Sequence, residues 1–387
     1  MMKRPLMMRP ETRDQGPGTG AALACESSGL GSFVSGLWFL VFLVAVAATT
    51  TAQPTQPTQA APPDGSRFTL EPASPRIVAQ RPNVIPPERG GRVRNDPGWN
   101  ANEGNGSYVR IEQGGFVNED TVRTARETAS HSTGTPEWKN PKGFERDVFT
   151  FARLIFRTQP RADDVYNYQG RLGWWVDYPD ADLNFSYRLQ QLTSLRTDPD
   201  GRVLRLTDPD LGDYPLLFLT HIENMRLSDD HAEILRRYLL NGGALFIVDF
   251  WNDQSWAKFS GEMQRILPGR SWTNLNSDHP IFRSVFNMKG DLRRWQVPTM
   301  QFWNRGHDWD NPAGPPLQWR DRGPGSQTMY ARALFDDKGR LMIIALHNCD
   351  LSDGWEREGE HDDYFHTFSE KISYPLGINI LFYLMTH

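Results

Sequence analysis

Cysteine is nearly absent: the 387-residue chain has two, Cys25 and Cys349. If the amino terminus is removed on export, only Cys349 remains, and no intramolecular disulfide can staple the fold. Excess positive charge is missing as well, since 42 Lys and Arg face 47 Asp and Glu for a formal charge of −5. Without a basic footprint, nucleic acid is not an expected partner. No apolar run reaches the roughly 20 residues that a membrane-spanning helix usually needs; the nearest approach is Phe33 to Ala48. Also lacking are G-x-S-x-G, a phosphate-cradling P-loop and H-E-x-x-H, so none of those nucleophile, nucleotide or zinc chemistries is signalled. What the chain does have is aromatic side chains, 12% of residues with thirteen Trp, many of them among Gly, Asn and Asp. Such rings serve as surface stacking platforms as well as core.

Residues 1–52 read as a signal peptide or membrane anchor, because Lys3, Arg4, Arg9 and Arg13 precede the apolar run and TTTAQPTQPTQ follows it. The small residues Thr50 and Ala52 suit peptidase cleavage; a retained anchor is the alternative. Either way the remainder is expected outside the cytoplasm, periplasmic or facing the periplasm, with the membrane touched only through this segment. Cys25 lies upstream of the apolar run, so it is no lipid-attachment site. Residues 53–66, rich in Pro, Gln and Thr, form an extended linker. Residues 67–145 are turn-rich and read as a partly ordered extension, with a strand near Tyr108 to Ile111 and a short polar helix over Asn118 to Ser130.

The main domain is expected at 146–387. Asp147 to Arg157 has β-branched and aromatic residues at strand density, and Phe185, Leu189, Leu192 and Leu195 recur at helical spacing. Tyr214 to Trp251 reads as one crossover unit. Pro215 to Thr220 is a buried strand, Ser228 caps a helix with the buried stripe Ile234, Leu235, Tyr238 and Leu239, Gly242 ends it, and Gly243 to Asp249 is the next strand. Met329 to Phe335 and Arg340 to Leu346 flank DDKG as a hairpin, and Leu376 to Met385 is a closing helix. Strands alternating with helices predict a three-layer α/β domain with a mostly parallel sheet.

The segments WWVDYPDADLNF, PLLFLTHIEN, LRRYLLNGGALFIVDFW, HNCDLSDGWERE and YPLGINILFYLMTH resemble an uncharacterised bacterial domain-of-unknown-function family. The resemblance covers about the last two thirds of the chain. It implies a class I glutamine amidotransferase-like, flavodoxin-related fold, and, because such domains are often encoded near aerotolerance-type operons, a role in the cell envelope. Catalytic relatives of that fold carry a nucleophile on a strained strand-to-helix elbow with small neighbours. Here the strand ends Val248, Asp249, Phe250, Trp251, with bulky neighbours and no thiol. Amidotransferase activity is therefore not expected.

The candidate site residues are Asp177, Asp182, His221, Glu223, Asp249, His347 and Asp350. In open parallel sheets ligands bind beyond the carboxyl ends of the strands, where His221, Glu223 and Asp249 stand; the alternative is that they cap helices and tie loops. Asp177 and Asp182 lie beside Trp174 and Trp175, an acid pair next to stacking rings as glycoside chemistry requires, or turn formers next to structural Trp. His347 with Cys349 would make a nucleophile pair, or Cys349 is a small buried apolar group. Asp350 to Asp363 gathers seven acids, which either hold a hard cation or form a solvated acidic loop. Trp303, Trp309 and Trp319 form a sugar-stacking loop or a core wedge. No cofactor is implied. The expected function is a non-catalytic module binding an envelope protein partner or a carbohydrate; a carbohydrate-active or other hydrolase using the same carboxylates is the alternative.

Overall fold

The computed structural model describes residues 108–111, 116–130, 132, 137–143, 147–156, 173–306 and 322–387. The expected signal or anchor, the linker, Trp309 and Trp319 lie outside the described residues. Among the described residues no helix is long and apolar enough to cross a membrane.

A small antiparallel pair, β1 (Tyr108–Arg110) and β2 (Phe116–Asn118), opens the described chain. The polar helix expected over 118–130 is a single 3-10 turn, Ala125–Glu127. Thr124 and Glu127 close a reciprocal capping box around that one turn, and Thr128 then turns extended. Ile111, Val117, Val122 and Ala125 of this region are buried in one of the two main hydrophobic clusters.

Seven strands make the main sheet: β3 (Ala152–Ile155), β4 (Arg202–Arg205), β5 (Leu216–Thr220), β6 (Ala244–Val248), β7 (Thr273–Leu275), β8 (Tyr330–Phe335) and β9 (Leu341–His347). Their order is β4-β3-β5-β6-β9-β8-β7. The first five run parallel, and β8 and β7 are added antiparallel. The chain steps from β3 to β4 on one side and back to β5 on the other, so the strand order reverses at β3, the kind of switch point where open sheets leave a crevice.

Alternation along the strands explains the layers. Leu154, Leu217, Leu219, Leu245, Ile247 and Ile343 join one hydrophobic cluster, while Phe218, Phe246, Val248, Ile344 and Leu346 join the other. Helices α2 (Asp229–Leu240) and α3 (Asn252–Ile266) cover the first face. The second is covered by α1 (Asp180–Leu192), α4 (Leu351–Glu356), a short turn α5 (Asp362–Tyr364), a π-helical stretch Phe365–Ser373 and α6 (Tyr374–Thr386). The protein is thus α/β with a mostly parallel sheet. Helix α2 begins where expected, Ser228 Oγ accepting from the His231 amide at 3.2 Å, and Gly242 at φ 114° supplies the turn out.

Three further expectations need correction. The first sheet strand is shorter than Asp147 to Arg157, because Phe149 makes only an isolated bridge to Thr197. Helix α1 starts at Asp180, ahead of the periodic residues from Phe185, so Asp182 sits in a helix and not in a turn. The segment from Asp350 to Asp363 is a solvated acidic loop only in its second half, where Glu360, Asp362 and Asp363 are exposed: Asp350 caps α4, and Asp353 and Glu356 are buried within it.

Candidate functional site

In-register pairing of β5 with β6, from Leu216 opposite Ala244 to Thr220 opposite Val248, brings the two strands to their carboxyl ends together. His221 and Asp249 therefore leave the sheet side by side, and the His221 amide donates to the Asp249 carbonyl at 3.2 Å. On the other side of β6, β9 delivers Asn348, Cys349 and Asp350. From the end of β3 the chain returns at Gly173 to Pro179, carrying Asp177.

The backbone at these ends is unusual. Among the described residues five that are not glycine have positive φ: Asp177 (61°), His221 (48°), Asp249 (51°), Asn252 (69°) and Asn348 (63°). His221, Asp249, Asn252 and Asn348 stand just beyond β5, β6 or β9, and Asp177 lies in the loop that leads into α1. Asp, Asn and His enter the left-handed region more often than other residues with a Cβ, though a positive φ remains uncommon for all of them. Such conformations persist only where the surroundings over-determine them, and they gather at functional sites.

The side chains form a connected buried group. His221 Nε2 lies 2.5 Å from Asp249 Oδ2 and its Nδ1 3.2 Å from Glu223 Oε1. The Trp251 indole donates to the other Asp249 oxygen at 2.7 Å. Burial alone would push the His221 imidazole down, but the carboxylates of Asp249 and Glu223 outweigh it and hold His221 well above its ordinary value. Burial would likewise raise Asp249, yet His221, Arg322 and the Trp251 indole bring it below the usual carboxylate range. The pair is thus an imidazolium and a carboxylate at neutral pH.

Asp350 goes the other way. Burial, then the neighbouring charges of Asp249, Asp177 and Asp353, push it well above the ordinary value, against the opposing hydrogen bond from Thr299. Thr299 Oγ1 donates to Asp350 Oδ2 at 2.5 Å, and the Asp353 amide donates to Oδ1 at 2.9 Å. Arg322 donates to Thr299 and lies over the rings of Trp251 and Phe302. Two carboxylate triads share Asp177: one with Asp249 and Asp350, the other with Asp353 and Glu356, and within each the oxygens lie within 4.8 Å of one another. Hard cations take such all-oxygen sets. Arg357 offsets part of the second triad, 3.0 Å from both Asp353 and Glu356.

Asp182 does not join this group. It is buried against Arg153, whose Nε lies 3.0 Å from both its oxygens, and burial raises Asp182 despite that cation. Arg153 also donates to the carbonyls of Trp174 (2.8 Å) and Val176 (3.0 Å), which fastens the loop presenting Asp177. Asp182 is therefore part of the support for Asp177. His347 also turns away: its Nε2 is 3.0 Å from the Asn252 carbonyl, and its ring stacks on Phe250 and Tyr330. Cys349 is buried, with its thiol pushed up by that burial, so it makes no nucleophile pair with His347. Trp303 packs with Tyr364 and Phe368 as core.

Composition alone concealed Arg153, Thr299, Arg322 and Asn252. Asp353 and Glu356 were visible, but their acidity pointed to solvent. The sequence now places the molecule. The chain belongs to the DUF4159 family, a domain of unknown function matched over residues 165–385. No curated protein matches the chain. The DUF4159 region contains Asp177, His221, Asp249 and Asp350, whereas β3, with the supporting Arg153, precedes it.

Proposed function

We propose that this DUF4159 protein is an exported, non-catalytic binding module of a cell-envelope assembly, with a glutamine amidotransferase-like sheet that holds its ligand at the carboxyl edge. The observation that carries the reading is the convergence of Asp177, from the loop before α1, with Asp249 and Asp350, from the ends of β6 and β9, on left-handed or capping backbone with oxygens within 4.8 Å of one another. The basic residues before Phe33 to Ala48 and the Pro-, Gln- and Thr-rich tether support export. The bulky Val248, Phe250 and Trp251 around Asp249 are all buried and leave no room for a nucleophile elbow, which favours binding over acyl transfer.

The group this edge fits is positively charged: a hard divalent cation, or a cationic centre of the ligand. Calorimetric titration of the purified protein with magnesium, calcium and zinc tests the first. Saturable binding that Asp177→Asn and Asp350→Asn both weaken supports the reading; no heat with any of the three removes the metal. A second reading, a hydrolase, draws on the 2.5 Å His221–Asp249 pair, an acid–base couple in form. Turnover of a chromogenic glycoside that disappears in Asp249→Asn would favour it over simple binding.

A further inference from the structure

His347 points away from the carboxylates to a second polar feature on the opposite face of the sheet end. In the β8–β9 ladder Tyr330 stands opposite His347, and Arg332 opposite Ala345, so Tyr330, Arg332 and His347 share one face. Trp256, from α3, closes over them. The Arg332 guanidinium carbon lies 3.7 Å from the Trp256 ring centre and 4.6 Å from that of Tyr330. The Trp272 ring abuts Trp256 at 4.9 Å, and both indoles are half-buried.

The Arg332 side chain makes no ion pair and no hydrogen bond among the described residues, and its Nε is buried without a partner. The half-buried arginines of β4 and of the β8–β9 turn are engaged: Arg202 with Asp210 at 2.9 Å, Arg205 with the Val122 carbonyl at 3.3 Å, Arg340 with Asp336 at 3.2 Å. Removing a guanidinium partly from water without an acceptor is unfavourable. Burial lowers Arg332 from its ordinary value, while the Tyr330 hydroxyl and Asp253 act in the opposite direction; an arginine stays charged through the physiological range. His347 adds no positive charge, because burial brings it down to about 4. Its Nε2–H faces the Asn252 carbonyl, which leaves Nδ1 as a second buried polar atom without a partner.

Rings cover the guanidinium plane, so an acceptor arrives in that plane, along the N–H bonds. That is the approach of a bidentate oxyanion. We propose that Arg332 is an oxyanion site, receiving the carboxylate or phosphate group of a small ligand whose body lies beside Trp256 and Trp272. It is separate from the carboxylate centre and does not depend on that centre's role.

The test follows the indole NMR signals of Trp256 and Trp272 in the full chain, titrated with inorganic phosphate and, separately, with acetate. Saturable shifts are expected with at least one anion, and the anion that produces them identifies the source of the charge. Arg332→Lys, which keeps the charge but loses the fork, should weaken binding about tenfold, the loss of one charge-assisted hydrogen bond. Arg332→Gln should abolish the shifts with an unchanged melting temperature. The proposal is overturned if neither anion shifts the signals, or if the shifts persist undiminished in both variants.

Discussion

His221 and His347 come off strands on either side of β6, both buried, and their environments drive them in opposite directions. His221 lies against Asp249 and Glu223 and is held charged. His347 lies between Phe250 and Tyr330, with only a carbonyl for a partner, and is held neutral. Burial pushes both imidazoles down; what reverses it at His221 is a carboxylate within hydrogen-bond distance. His221 thus belongs to the electrostatic centre, which β9 also joins through Asp350, whereas His347 at the end of β9 faces an aromatic wall.

Removing the carboxylate breaks the contrast most severely. Asp249→Ala leaves the His221 imidazolium in the interior with Glu223 alone, and stability should fall by about 3 to 5 kcal/mol, as when one partner of a buried ion pair is deleted. Urea unfolding at neutral pH measures this. A loss within about 0.5 kcal/mol, typical of an uninvolved surface position, would mean that the pair is not formed.

The pH dependence separates the two histidines next. His347 binds its proton more weakly folded, at about 4, than unfolded, so its contribution falls as the pH drops from about 6.5 towards 4, by about 3 kcal/mol in all. His347→Gln should flatten the stability curve in that window. His221 has the opposite sign: raised on folding, its contribution is full below the unfolded value and lost as the pH rises through the folded one. Asp249, depressed on folding, contributes above its unfolded value and loses that contribution as the pH falls through its folded one. Unfolding curves for His221→Gln and wild type should therefore converge at high pH; a constant gap across the range would contradict the ion pair.

The smallest expected effect sharpens the centre itself. Trp251→Phe removes the 2.7 Å indole donor to Asp249 and leaves a smaller aromatic ring in its place, and should cost about 2 kcal/mol. Thermal unfolding detects it; an unchanged midpoint would show that the indole contributes nothing to holding the carboxylate.

The crossover through β5, α2 and β6 was legible because its signals are local: an apolar run, a capping serine and a glycine at the exit. Strand-end positions made His221, Asp249 and Asp350 legible as candidates. Asp182 was misplaced because its partner Arg153 is 29 residues away in sequence, a contact that no local pattern encodes. Charge alone leaves the acids of α4 open to water or to a cation, and their burial follows from Asp350 capping a helix packed under α1 and the π-helical stretch. Helix α3 was hidden by its irregular start, where Trp251 is extended and Asn252 left-handed. Strand β4 is hidden by the arginines at both its ends, Arg202 and Arg205, which flank the buried Val203 and Leu204 at the sheet's edge.

The central claim is that residues from separate strand ends act as one electrostatic unit. NMR titration of the two imidazoles in wild type and Asp249→Asn tests it most directly. The account predicts that His221 titrates well above the ordinary histidine value, that His347 titrates near 4, and that only His221 moves down in the variant. Ordinary titration of His221 in the wild-type protein, unaffected by the loss of Asp249, would contradict it.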